Sequence, residues 1–254
     1  MTRDLRGFDL AAAMRGFYET GAYYVSIPPG ETSYEENYWG EIVDPDGKRR
    51  NRLEERERYL DDLGAEIAFI GALRPGRVLD VGCGLGWLLS TLGDEWQTFG
   101  IEVSAFATEY AREHGEVVTG ELLDCPFTKD SFDLVVMHHV IEHMADPVAN
   151  ILKVRELLAP GGHLILGTPD FDSGCARRFG TNYRLLNDPT HISLFSNDSM
   201  HRFLRDHGFK IVGVDYPFFE TRHFTPEILQ RLFETDRVSP PFYGNFMTFY
   251  CVNP

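Results

Sequence analysis

Short apolar runs alternate with segments of helical spacing through the middle of this chain. Val78-Leu79-Asp80-Val81, Phe99-Gly100-Ile101, Val117-Val118 and Phe132 to His138 are the apolar runs. Such alternation predicts a parallel sheet with helices on both faces. Strands are expected over 77–82, 97–101, 116–119 and 132–138, with helices over 85–93 and 104–114. The run from Phe132 is continuously apolar, which suits a central strand buried on both sides. Upstream, Leu60, Leu63, Ile67 and Ile70 predict one amphipathic helix from Leu53 to Leu73, ended by Arg74-Pro75-Gly76. Downstream, Val148, Ile151, Leu152, Leu157 and Leu158 mark a helix that opens near Pro147 and stops at Pro160-Gly161-Gly162, before a strand over 163–167. A helix from Asn197 to about His207, a strand over 209–216, a helix over 225–233 and a last strand over 246–252 complete the pattern.

The first strand runs into Gly82-Cys83-Gly84-Leu85-Gly86-Trp87. Glycines there admit positive φ and let backbone approach a ligand closely. A dinucleotide fingerprint would need a glycine where Trp87 stands, so a nicotinamide-dependent oxidoreductase is disfavoured. Glu102 follows the next strand about 20 residues after the first glycine, where an acid accepts from ribose hydroxyls.

These motifs resemble the class I S-adenosylmethionine (SAM)-dependent methyltransferases. Val78 to Gly86 is similar to their first motif, Gly100-Ile101-Glu102 to their ribose-binding strand end, and Gly120-Glu121 through Cys125-Pro126-Phe127 to their adenine-side loop. Ser131 to Val136 with Ile141-Glu142-His143, and Leu158 to Gly162 with Gly167-Thr168-Pro169, resemble the fourth and fifth strands of the family. The resemblance spans roughly residues 70–215 and is nearest to the branch of ubiquinone-type, natural-product and polysaccharide-pathway enzymes. It implies an α/β, doubly wound, Rossmann-like seven-stranded sheet of order 3-2-1-4-5-7-6 with the last strand antiparallel, and S-adenosyl-L-methionine as cofactor. It further implies that Asp80, Gly82, Cys83 and Gly84 border the methionine and ribose, that Glu102 holds the ribose, and that Val103, Glu121 and Leu122 meet adenine. His138 would lie beside the methionyl group.

Composition narrows the partners. The 254-residue chain has a formal net charge of -15, which opposes the phosphate-neutralising electrostatics of nucleic-acid binding. No apolar run of 18 residues is present and the amino terminus is mixed in charge, so a cytoplasmic location is the default and membrane insertion is not expected. Four scattered cysteines form no disulfide framework and are expected to be reduced, with Cys83 a small packing residue between glycines.

Residues 1–52 carry Phe17, Tyr18, Tyr23, Tyr24, Tyr34, Tyr38 and Trp39 among turn formers and are expected to form an accessory segment or lid. Lys48-Arg49-Arg50 with Arg52 is a basic island suited to an anionic group of substrate or cofactor. The methyltransferase domain would then run over 53–254, with an insertion at about 168–197 as the substrate wall. His191, in Pro189-Thr190-His191, is the first candidate for a general base, with Tyr183 and Tyr38 as weaker candidates for positioning the acceptor. His139-Val140-Ile141-Glu142-His143 matches an inverted zinc-protease motif, but it leaves a strand and has no evident third ligand, so no metal is expected and Glu142 and His143 are read as ordering a loop beneath the cofactor. The expected activity is methyl transfer to a small molecule, an oxygen acceptor being favoured. An N- or C-methyltransferase, or a non-catalytic SAM-binding subunit of the same fold, is the alternative; the sequence leaves the oligomeric state open.

Overall fold

The computed structural model describes residues 5, 7–30, 36–43, 49–216, 225–241 and 245–254. Tyr34, Lys48 and the side chain of Tyr18 lie outside them. Seven strands build the central sheet: β1 (Arg77–Val81), β2 (Gln97–Glu102), β3 (Glu116–Thr119), β4 (Phe132–His138), β5 (Leu158–Pro169), β6 (Lys210–Asp215) and β7 (Phe246–Val252). Their order is 3-2-1-4-5-7-6, with β7 antiparallel to both neighbours and the first five strands parallel.

The period of two along each strand sorts the core into two layers. Leu79, Val81, Val135, Met137, Leu164 and Leu166 face one side, against helices α6 (Pro147–Leu157) and α7 (Asn197–Asp206). Val78, Leu134, Val136 and Ile165 face the other, against Leu63, Ile70 and Leu88. Leu134 to Met137 are wholly buried, as the continuous apolar run requires.

Three elements differ from the sequence pattern. The helix expected over 53–73 is divided into a 3-10 turn (Arg52–Glu54), α3 (Arg56–Asp62) and α4 (Gly64–Gly71). It breaks at Leu63, which is fully buried, beside Gly64, whose weak helix propensity lets the axis turn. Over 85–93 there is only a 3-10 turn, Leu89–Thr91. Gly86 has φ 76, which a right-handed helix cannot contain, so the apolar Leu85, Leu88 and Leu89 enter the core from turns instead. Finally, β5 starts at Leu158 rather than 163, taking in Pro160-Gly161-Gly162 through a register irregularity opposite β4. The paired ends of Asn253 hold that opening, with Gly161 N donating to Asn253 O at 2.7 Å and Asn253 N to Gly162 O at 2.8 Å.

The amino-terminal residues pack on the insertion after β5. Helix α1 (Leu10–Thr20), capped by Asp9 accepting from Ala12 N at 2.9 Å, buries Leu10, Met14 and Phe17 against Phe171, Phe179, Tyr183 and Leu186. Val25–Ser26 pairs antiparallel with Ser193–Leu194. The chain then forms α2 (Glu36–Trp39) and a two-stranded hairpin, Glu41–Val43 with Arg49–Asn51. Among the described residues, no helix is long and apolar enough to cross a membrane.

Candidate active site

The carboxyl ends of β1 and β2 carry the site. Gly82, Gly84 and Gly86 have φ 69, 54 and 76, so the loop is built from a backbone that side-chain-bearing residues rarely adopt. A Cβ at Gly82 would lie 2.7 Å from Val140, and one at Gly86 would lie 2.8 Å from the Ala111 backbone. The third glycine therefore seats the loop on helix α5 (Ala105–Ala111), while Trp87 turns into the cleft beside Tyr59, their rings 5.6 Å apart.

Glu102 ends β2 at 5% exposure. Its carboxylate accepts from Gly84 N at 2.9 Å and from Ser104 N at 2.8 Å. Burial raises its pKa against the lowering effect of these backbone bonds. Asp80, one strand away, is more strongly affected: burial and then the Glu102 charge push its carboxyl from 3.8 to about 8. Among the described residues its buried Oδ2 has no hydrogen-bond partner. Burial also pushes the Cys83 thiol up, which keeps it protonated and inert, and it packs where a Cβ on Gly100 would have to sit, 2.7 Å away.

Over this floor lies a cleft of about 280 Å³. Tyr38 and Trp39 close it from the amino-terminal side, Trp39 donating from Nε1 to Ser104 Oγ at 3.0 Å while its ring covers Gly84. Arg50, Arg52 and Arg58 rim it. Arg50 and Arg58 both bond Glu55, at 2.6 and 2.9 Å, and the Arg52 guanidinium lies 3.6 Å over the Tyr38 ring. Glu55 and Asp62 line the cleft with these three arginines. His138 lines the inner wall, where burial and then His139 lower its pKa and favour the neutral ring. Outside the cleft lining, Val103 is half exposed and Glu121 exposed, beyond neighbouring strand ends joined by Gly120 N to Glu102 O at 3.0 Å. Leu122 is a partial correction, because its side chain is 3% exposed in the core and only its backbone can face a ligand.

The catalytic candidates do not converge. Tyr38 is at the cleft, but Tyr183 is fully buried in the small core beneath the insertion, which removes it from acceptor binding. His191 does not line the cleft: at 6% exposure it donates from Nδ1 to Leu185 O at 2.6 Å and packs 4.8 Å from the His143 ring. Local sequence could not reveal either burial. The residue that sequence reasoning passed over is His139. It follows β4 with φ 56 and donates from Nδ1 to Glu142 Oε1 at 3.1 Å. The signal was in the discarded motif, where His139 stands three residues before Glu142, just ahead of the 3-10 turn Ile141–His143. Glu142 itself is wholly buried and also accepts from Thr168 Oγ1 at 3.0 Å. Burial pushes its carboxyl up, but the His139 hydrogen bond and the surrounding imidazoles outweigh it and hold the group at about 2.

A methyltransferase-domain family model matches residues 52–214, more than half of the chain. The chain belongs to that family, and its sheet order and glycine loop are those of the class I SAM-dependent methyltransferase fold. A ubiquinone biosynthesis O-methyltransferase from Cereibacter sphaeroides is 36% identical over 118 residues, 42% of this chain and 45% of that protein. The chain thus spans less than half the length of the curated relatives it matches first. Among solved structures, a SAM-dependent methyltransferase from Thermotoga maritima has a TM-score of 0.60 at 24% identity, covering 80% of this chain and 92% of that one. The [4+2]-cyclase SpnF has a TM-score of 0.59 at 20% identity, covering 98% and 94%. One fold therefore serves different chemistries.

The residues present fit SAM. It carries a sulfonium and an ammonium against one carboxylate, and Glu102, with Asp80 once a bound cation draws off its proton, supplies the opposite charge. The positive-φ loop leaves no Cβ between backbone and ligand.

Proposed function

We propose that the protein transfers a methyl group from SAM to an oxygen of a small-molecule acceptor, with His139 as the general base. The bound cofactor supplies an electrophilic methyl on a good leaving group. Glu102 accepts from the ribose hydroxyls, Asp80 balances cofactor charge once the cation draws off its proton, Val103 and Glu121 border adenine, and a rim arginine takes the amino-acid carboxylate. Tyr38 and Trp39 cover the cleft from the amino-terminal side, which favours a small acceptor over a macromolecule. The formal net charge of -15 further opposes a nucleic acid.

The observation that carries the oxygen acceptor is the His139 and Glu142 pair. A hydroxyl, unlike a neutral amine, gains from losing its proton as the bond forms. Donation from Nδ1 to a carboxylate fixes the tautomer and puts the lone pair on Nε2, and the buried anion stabilises the imidazolium that results. The His139 side chain is 31% exposed and, although outside the cleft lining itself, its ring lies 4.4 Å from that of His138, which lines it, whereas His191 is enclosed. The ubiquinone-pathway relative, an O-methyltransferase by name, supports the same reading.

The test is radiolabelled methyl transfer from SAM to panels of phenols, catechols and hydroxylated sugars, with amines as the contrast. His139→Ala should lower kcat roughly 10²–10⁴-fold while the cofactor Kd stays within about twofold. Undiminished turnover, or transfer to amines alone, would overturn the assignment.

A further inference from the structure

Glu142 and His143 lie on the turn after β4, and His191 lies in the insertion after β5. One ligand atom of each is within 4.8 Å of the other two. Backbone bonds hold the two segments in this relation, with Ile192 N donating to Glu142 O at 2.8 Å and Ser193 Oγ to Met144 O at 2.8 Å. We propose that Glu142, His143 and His191 bind one divalent transition-metal cation of the zinc type, which clamps the insertion to the end of β4.

Three features support a cation rather than mere packing. Both imidazoles are preset as ligands: His143 Nδ1 donates to Thr190 O at 3.1 Å and His191 Nδ1 to Leu185 O at 2.6 Å. A carbonyl can only accept, so each ring carries its proton on Nδ1 and its lone pair on Nε2, the arrangement that second-shell carbonyls impose on metal-binding histidines. The third ligand is a wholly buried carboxylate whose remaining bonds, from His139 and Thr168, occupy only part of its acceptor capacity. A cation can therefore join Glu142 without displacing His139. Finally, the Asp188 charge acts on His143, adding a second acid to the surroundings of the site.

Two nitrogens and one carboxylate oxygen form the borderline donor set that suits zinc. Ligand atoms around a tetrahedral zinc at about 2.0–2.1 Å stand roughly 3.3 Å apart. A triangle with no side longer than 4.8 Å closes to that size if each group moves inward by at most about 0.9 Å. This ligand set differs from that of the sequence motif, because His139 is bonded to Glu142 and its place is taken by His191, 48 residues after His143. The sequence offered no third ligand; the fold brings one.

Zinc stoichiometry by elemental analysis and titration calorimetry on the whole chain tests the site without using activity. We expect one equivalent of zinc per chain, weakened at least about 100-fold by His143→Ala and by His191→Ala and much less by His139→Ala. Cobalt added to the unaltered protein should show the visible bands of a four- or five-coordinate site, which guards against variants that fail to fold. Absence of both stoichiometric zinc and cobalt bands would overturn the proposal. So would a His139→Ala variant that loses zinc as completely as His191→Ala. Neither result touches the methyl-transfer reading, which its own assay decides.

Discussion

Asp80 makes a quantitative test of the cleft. Its carboxyl rises from 3.8 to about 8 on folding because it is buried and faces Glu102. A raised carboxyl binds its proton more tightly in the folded than in the unfolded chain. The stability it contributes is complete below about 3.8 and is lost as pH rises through about 8. Each pKa unit is worth about 1.36 kcal/mol, so the span from about pH 5 to about pH 8 bounds the loss at roughly 4 kcal/mol. Partial hydration of the cleft lowers the expected value to about 3 kcal/mol. Asp80→Asn removes the ionisation while keeping the shape. Urea unfolding should therefore show the native protein losing about 3 kcal/mol more than the variant between those pH values. SAM, being cationic, should draw the proton off Asp80, so calorimetry near pH 7 in buffers of different ionisation enthalpy should detect proton release that the variant lacks. Parallel pH profiles for the two proteins would refute the argument that Asp80 is a buried acid.

Two further predictions concern packing. Gly86→Ala places a methyl 2.8 Å from the Ala111 backbone at φ 76, and should destabilise the protein by about 2–4 kcal/mol in denaturant unfolding. Tyr183→Ala should lower stability by about 3–5 kcal/mol, because the ring is wholly buried, while kcat of the folded protein stays within about twofold. A selective loss of acceptor affinity in that variant would return Tyr183 to the site.

Much of the fold and the cofactor floor could be read from the chain itself. Strand periods, the glycine spacing and the acid at Glu102 depend on neighbours close in sequence, and β1 to β4 with β7 lie within a residue or so of where the pattern predicts them. Local spacing also contained the His139 and Glu142 pair, although the same letters pointed first to a protease motif. Its limits were local as well: apolar periodicity over 85–93 reports burial, and cannot tell a helix from turns forced by the positive φ of Gly86. What enclosed Tyr183 was the docking of residues 10–27 on the 168–197 insertion, and what set His191 beside Glu142 and His143 was the bonding of that insertion to the turn after β4. Those contacts join positions from dozens to more than 150 residues apart. No window of sequence contains them, because burial and side-chain proximity at that range are properties of packed layers.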